Sequence, residues 1–302
     1  IINRYNNLHI YIYYEIILVR PQFFKEKNYQ MKKYLIALDL DGTILYDFDS
    51  LSESLCDFMK EVQKAGHKIV IATGRPYRSS KFVYDRFDLN TPIINYNGGL
   101  ITHPKDSSFP RINYTVNKDV IIDIFENNID HIRNAFCEVR DAIYVHQEEK
   151  AIEPLLHVKG STKIAFGHFK DTLDKDPNGA IIIGKQGRGK LIKEYIDTKY
   201  PNQILSRIWN LSGEYDSIIE VFTPESNKGQ ALAHVADYLG FKPEDVIAIG
   251  DGHNDIEMLE YAGLGVAVRN AHPELIKVAD LILDFTSSEN AVYRFLSEYL
   301  YN

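Results

Sequence analysis

Two carboxylates two residues apart, Asp39 and Asp41, stand at the end of the mostly apolar run Tyr34–Leu40 and just before Gly42-Thr43. Residues i and i+2 of a strand point the same way. A glycine lets the chain turn sharply behind them, so both acids can crowd one mouth. Like charges that close are costly unless a cation or a proton neutralises them. Three more polar segments follow apolar runs: Thr73-Gly74-Arg75, Asn97-Gly98-Gly99, and Gly250-Asp251-Gly252-His253-Asn254-Asp255. Lys228 opens a helical stretch shortly before the last of these.

The elements that must position these groups follow from periodicity. Tyr34–Leu40, Lys68–Ala72 and Pro92–Tyr96 are short continuous apolar runs, the pattern of strands buried on both faces. Between them, Leu55, Phe58, Met59, Val62 and Ala65 recur at helical spacing, introduced by a capping-box pattern over Ser50–Glu53 and stopped by Gly66. A second helix is expected over Ser79–Phe87. After residue 222 the alternation resumes: helix Lys228–Leu239 closed by Gly240, strand Asp245–Gly250, helix Asn254–Ala262, strand Gly265–Val268, helix Pro273–Ala279, strand Leu281–Leu283 and helix Ser287–Leu300. The expected fold is α/β: a doubly wound parallel sheet, Rossmann-like, with ligands beyond the carboxyl ends of its strands. The middle of the chain has more strands and more Lys and reads as an inserted α/β domain. The expected division is 1–30 as an N-terminal extension, not native or disordered, 31–111 and 223–302 as catalytic core, and 112–222 as cap. Residues 1–30 begin with Ile and are rich in Ile, Tyr and Asn, and Met31-Lys32-Lys33 reads like a bacterial start.

The four polar segments, taken together and in this order, resemble the haloacid dehalogenase-like hydrolase superfamily, and within it the Cof-type sugar and cofactor phosphatases. The resemblance spans residues 31–302. It implies Asp39 as nucleophile, Asp41 as general acid/base, Thr73 with its hydroxyl on the phosphoryl group, and Lys228 countering phosphate and carboxylate charge. It implies Mg2+ held around Asp251 and Asp255, with Asn254 between them, and an α/β cap that sets specificity. An ester dianion repels an anionic nucleophile, so attack by Asp39 requires Mg2+ and Lys228 to neutralise the phosphoryl oxygens. Magnesium favours a few carboxylates plus waters and substrate oxygens. The metal set is therefore Asp39, Asp41 (through its backbone carbonyl) and Asp251, with Asn254 and Asp255 orienting them. Asp41 must carry a proton when the ester arrives, so its carboxyl is expected off the metal. Thr73, Gly74, Arg75, Asn97, Lys228 and Asn254 are the expected substrate contacts. In the related ion-pumping ATPases a Thr stands two after the nucleophile; Asp41 there resembles a phosphatase or phosphomutase. The expected substrate is a small phosphorylated metabolite: a sugar phosphate, FMN or pyridoxal phosphate. A sugar phosphomutase and a non-catalytic binding protein on the same scaffold are the alternatives.

Other features carry less. The net charge of −8 argues against a nucleic-acid partner, and the apolar stretch Ile10–Val19 is too short to span a bilayer. The two cysteines, Cys56 and Cys137, suggest buried small residues and a reducing cytoplasm rather than a disulfide framework. Oligomeric state is not legible. Gly184–Lys190 nearly matches a phosphate-binding loop but continues with Leu191 where a Ser or Thr should reach magnesium, so it reads as a turn into a cap helix. Arg75 is equally a salt-bridge residue and a substrate ligand. His253 is expected beside the metal rather than in the chemistry. His146, His157, His168 and Arg140 are expected to be mostly solvated. Arg269, where the family often has a small residue, is expected to face solvent.

Overall fold

A computed structural model of the chain describes residues 32–47, 49–209 and 217–301; the expectation about residues 1–30 lies outside them. Five strands form one parallel sheet: β1 (Leu35–Leu38), β2 (Lys68–Ile71), β12 (Val246–Gly250), β13 (Leu264–Ala267) and β14 (Leu281–Ile282), in the order β14-β13-β12-β1-β2. All four residues of β1 are fully buried, as a central strand covered by helices on both faces requires. The covering helices are α1 (Glu53–Lys64), α2 (Tyr77–Arg86), α5 (Lys228–Leu239), α6 (Ile256–Tyr261), α7 (Pro273–Val278) and α8 (Ala291–Tyr301). Leu38 pairs with Ile249 on one side and Ile71 on the other, so β1, β2 and β12 end at the same level.

Between β2 and α5 lies the second layer. A meander of β3 (Ile93–Asn95), β4 (Leu100–Thr102) and β5 (Ile112–Asn113) leads to a six-stranded cap sheet. The cap sheet comprises β6 (Ile132–Val139), β7 (Ala142–Val145), β8 (Lys163–Phe166), β9 (Gly179–Gly184), β10 (Leu205–Trp209) and β11 (Ile218–Phe222), ordered β10-β11-β9-β6-β7-β8. One face carries Ala135, Cys137, Ala180, Ile182, Ile219 and Val221 against helices α3 (Lys118–Asn128) and α4 (Gly189–Lys199). The alternate residues face the other way, among them Phe136, Glu138, Ile181, Ile218, Glu220 and Phe222. Both cysteines are buried. Among the described residues no helix is long and apolar enough to cross a membrane.

Four local expectations need correction. The helix expected over Ser287–Leu300 opens with a 3-10 turn over Ser287–Glu289, passes through left-handed Asn290 and is α-helical over Ala291–Tyr301. The N-cap of α1 is Ser52, whose side chain accepts from Leu55 N–H, not Ser50, so the capping-box spacing was two residues early. The third run does not extend the parallel sheet as a full strand. It touches β2 through a single parallel bridge, Ala72 with Ile94, and otherwise pairs antiparallel with β4. The helix expected from Asn254 begins with a 3-10 turn over His253–Asp255 and becomes α-helical only at Ile256. Asp255, the last residue of that turn, accepts the N–H groups of Asp251 and Gly252 on its side chain.

Candidate active site

Asp39 leaves the carboxyl end of β1 with its N–H donated to Ile249 O at 3.1 Å, so its backbone still belongs to the sheet. The chain then turns: Leu40 O accepts N–H bonds from Thr43, Ile44 and Leu45. Gly42 makes the turn with a φ of 77°, and a Cβ there would stand 2.6 Å from Asp251 Cγ. A glycine therefore serves two ends, left-handed backbone and the close approach of Asp251.

Lys228 is the first residue of α5, where a cation opposes the helix dipole. Two carboxylates offset that cost. Its ammonium, 1% exposed, lies 2.6 Å from Asp39 Oδ1 and 2.6 Å from Asp255 Oδ1. The other oxygen of Asp255 accepts the N–H groups of Asp251 at 3.1 Å and Gly252 at 2.8 Å. Both oxygens of Asp255 are thus engaged, and the residue fixes the loop that presents Asp251. The Thr43 hydroxyl has one proton and two acceptors in reach, Asp251 Oδ1 at 3.0 Å and Asp39 Oδ2 at 3.3 Å. Sequence reasoning gave Thr43 no role, although it lies within the quoted motif.

The electrostatics favour a cation. Carboxylate oxygens of Asp39, Asp251 and Asp255 come within 4.8 Å of one another. Three negative charges face one ammonium. Burial, then Asp255, holds the Asp39 carboxyl well above the usual carboxylate range even against Lys228. Burial and Asp255 likewise push Asp251 up to about 7. Hard oxygen donors with an uncompensated charge of two fit a hard dication such as Mg2+. Asp39 and Asp251 have oxygens free to hold it.

Asp41 points elsewhere. Its two oxygens accept from Arg75 Nη2 at 2.6 Å and Nε at 2.8 Å, a bidentate pair, and its carboxylate is not part of the acidic cluster. Arg75 is 5% exposed and also donates to Ser79 O at 3.2 Å. Thr73 is fully buried and its hydroxyl accepts Arg75 N–H at 3.1 Å. On the third side, Tyr96 and Asn97 both adopt left-handed backbone (φ 50° and 54°), a strained arrangement for non-glycine residues. It turns Asn97 toward the site, where Asn254 Nδ2 donates to its Oδ1 at 2.8 Å. Asn97 Nδ2 in turn donates to Glu220 Oε1 at 2.9 Å.

A cavity of about 630 Å³ runs between this sheet edge and the cap sheet. Of the residues expected from sequence, Asp39, Asp41, Gly74, Arg75, Asn97, Asp251 and Asn254 line it. Thr73, Lys228 and Asp255 lie behind that lining, buried. Arg269 pairs with Glu289 at 2.7 Å and does not line the cavity. His157 does line it, contrary to the expectation of a solvated histidine. His146 and His168 pack on Phe125 away from the cavity, so they too are not simply solvated. Gly184–Lys190 is a turn into α4, off the cavity. Sequence reasoning missed Glu138, Trp209 and Glu220, all on the cavity wall. The available signal was a carboxylate inside the otherwise apolar strand Ile218–Phe222.

A family model described as haloacid dehalogenase-like hydrolase matches residues 36–296. The chain belongs to that family. It is similar to the 5-amino-6-(5-phospho-D-ribitylamino)uracil phosphatase YitU of Bacillus subtilis, 35% identical over 273 residues, 89% of this chain and 98% of the relative. It is also similar to YwtE of the same organism, named for the same activity, 27% identical over 88% of this chain and 97% of that one. The crystal structure of a haloacid dehalogenase-like hydrolase from Bacteroides thetaiotaomicron superposes with a TM-score of 0.76 at 22% identity, covering 89% of this chain and all of the other. This family member is a hydrolase with phosphatase activity.

Proposed function

We propose that the chain is a Mg2+-dependent phosphatase that works through an aspartyl-phosphate on Asp39, with 31–111 and 223–302 as catalytic core and 112–222 as cap. The observation that carries the reading is the Lys228 ammonium held between Asp39 and Asp255 at the edge where three strands end. Mg2+, held by Asp39, Asp251 and the Asp41 carbonyl, would supply charge neutralisation on the phosphoryl oxygens. The chain's own residues do the rest. Lys228 orients Asp39 and opposes the rise that burial and Asp255 impose on its pKa, and its third N–H remains for a phosphoryl oxygen. An Asp39 carboxylate oxygen bonds to phosphorus as the P–O bond to the leaving alcohol breaks. Asp41 gives that oxygen its proton. It then takes a proton from the water that attacks phosphorus, and the bond to Asp39 breaks to release inorganic phosphate. Both Asp41 oxygens accept from Arg75 here, so before it can protonate the leaving oxygen the side chain must release Arg75 and take up a proton from solvent.

For the substrate we infer a phosphorylated ribitylamino-pyrimidine, as in the name of the 35% identical relative. The cavity, wide and largely apolar on its cap side, accommodates a leaving group larger than a simple triose or glycolate. The test is phosphate release from 5-amino-6-(5-phospho-D-ribitylamino)uracil and from p-nitrophenyl phosphate, with Mg2+ and with EDTA. Release that persists undiminished in EDTA removes the metal from the reading. Turnover by Asp39→Asn above a trace removes the nucleophile.

A further inference from the structure

We propose that Glu220 is the specificity-determining residue of this phosphatase: it accepts a hydrogen bond from an N–H or NH2 group on an uncharged, planar nitrogen heterocycle in the leaving group. The inference rests on the phosphatase reading above and specifies what the cap recognises.

On the cap side of the cavity Phe136, Ile181, Trp209, Ile218 and Phe222 supply the apolar surface, beside the polar Glu138, His157 and Asn178. Strand alternation places Glu220 among them. Its register neighbours across the sheet are Arg207 on β10 and Ile181 on β9, and Ile181 pairs in turn with Phe136 on β6. A carboxylate in an aromatic and aliphatic wall needs donors. Two are built in: Asn97 Nδ2 at 2.9 Å on Oε1 and Trp209 Nε1 at 3.2 Å on Oε2. A carboxylate has about four acceptor positions, so each oxygen keeps one, and the side chain borders the cavity. The wall thus offers flat apolar surface plus an unfilled acceptor.

The charges narrow the ligand further. The arginine that lines the cavity among the described residues, Arg75, is bound by Asp41. Burial, then Arg75, lowers the pKa of His157 below its ordinary value, favouring the neutral ring. Arg78, just behind the wall, is held by Glu138 and by the carbonyls of Arg140, Leu156 and His157. Arg207, paired with Glu220 across the sheet, lies over the Phe222 ring at 5.2 Å and is not part of the cavity lining. Among the described residues that line the cavity, a second phosphate or a carboxylate on the leaving group would meet Glu220 and no arginine or lysine other than Arg75, already bound by Asp41. A neutral donor would meet an acceptor. The same carboxylate is tied through Asn97 to Asn254 in the loop of Asp251 and Asp255, so the group that reads the leaving group is hydrogen-bonded to the acidic loop.

The experiment compares two esters that share the phosphorylated ribityl chain, 5-amino-6-(5-phospho-D-ribitylamino)uracil and ribitol 5-phosphate, on wild type and Glu220→Gln with Mg2+. Wild type is expected to prefer the heterocyclic ester in kcat/KM by at least about tenfold, and Glu220→Gln to shrink that ratio by about tenfold or more, chiefly through KM. Equal loss on both esters marks a structural role for Glu220 and overturns the inference. An unchanged ratio, no preference in wild type, or a wild-type preference for phosphoglycolate over ribitol 5-phosphate overturns it as well. Wild-type turnover of p-nitrophenyl phosphate separates the two levels. If it persists in those cases, only the Glu220 inference falls; if no ester yields phosphate, the phosphatase reading falls with it.

Discussion

Replacing Lys228 by Met tests the electrostatic core of the site. Methionine nearly preserves the shape and removes the charge. The ammonium contributes two ion pairs at 2.6 Å with almost no solvent access. Without it, Asp39, Asp251 and Asp255 face one another uncompensated. Removing one partner of a buried pair costs about 3–5 kcal/mol, so the metal-free variant at pH 8 should be less stable than wild type by about that amount. The sign with pH follows from Asp39. Its folded pKa is raised, so its contribution to stability is present in acid and is lost as pH rises through the folded value. Without Lys228 that rise is larger, so the gap between variant and wild type should widen from pH 5 to pH 8. Saturating Mg2+ should narrow it by replacing part of the lost positive charge. The assay is urea unfolding at both pH values, with EDTA or Mg2+, alongside kcat, which should fall by about 10²–10³, as for removal of a transition-state donor. A metal-free variant as stable as wild type at pH 8, or a gap that widens toward acid, would refute the argument.

Three further outcomes are expected. Asp41→Asn should lower kcat on alkyl phosphates by about 10²–10⁴ and less on p-nitrophenyl phosphate, whose phenolate leaves without protonation; equal losses on both would remove the acid role. Gly42→Ala should weaken activation by Mg2+, since its Cβ would stand 2.6 Å from Asp251 Cγ and φ is 77°, and the left-handed backbone adds roughly 1–2 kcal/mol; a Mg2+ titration identical to wild type contradicts this. His67 is 3% exposed, accepts Tyr34 N–H on Nδ1 at 3.1 Å, and has its pKa lowered by burial and by Lys33. Its neutral form contributes stability above the unfolded pKa of about 6.5, lost as pH falls through the folded value. His67→Gln should therefore flatten the acid limb of the stability profile by at most about 1.4 kcal/mol per pH unit, read by urea midpoints from pH 7 to pH 4.5.

What the sequence made legible and what it hid divide along a physical line. Asp39, Thr73 and Asp251 could be placed because continuous apolar runs mark buried parallel strands, and polar residues just beyond such runs must emerge at one sheet edge. Lys228 could be placed because it opens the helical stretch that Gly240 closes and stands third in the order of motifs that resembles the family. These are local signals with global consequences. The partner of Asp41 was not legible. Its acid role predicts a carboxyl off the cation, but nothing in Asp39–Thr43 says that it meets an arginine 34 residues later. That depends on how β1 and β2 end side by side. The antiparallel meander from β3 hid for the same reason: three residues of apolar strand look alike in either sheet.

Glu220 is the sharpest case, and it shows how the chemistry and the choice of substrate are divided. Catalysis draws on residues at strand ends, where sequence pattern is strong. Recognition draws on one face of a twisted cap sheet, where an acid is visible only as an interruption in Ile218–Phe222 and its ligands, Trp209 and Asn97, lie on other elements. The chain Asn254–Asn97–Glu220 crosses from one region to the other in two hydrogen bonds of 2.8 and 2.9 Å. Asn97 occupies its left-handed position at that crossing, so the strain in the turn after β3 has a use: it aims one amide at both the acidic loop and the cap. A substitution at Asn97 should therefore change specificity and Mg2+ response together, whereas one at Trp209, which touches only the Glu220 end, should change specificity alone.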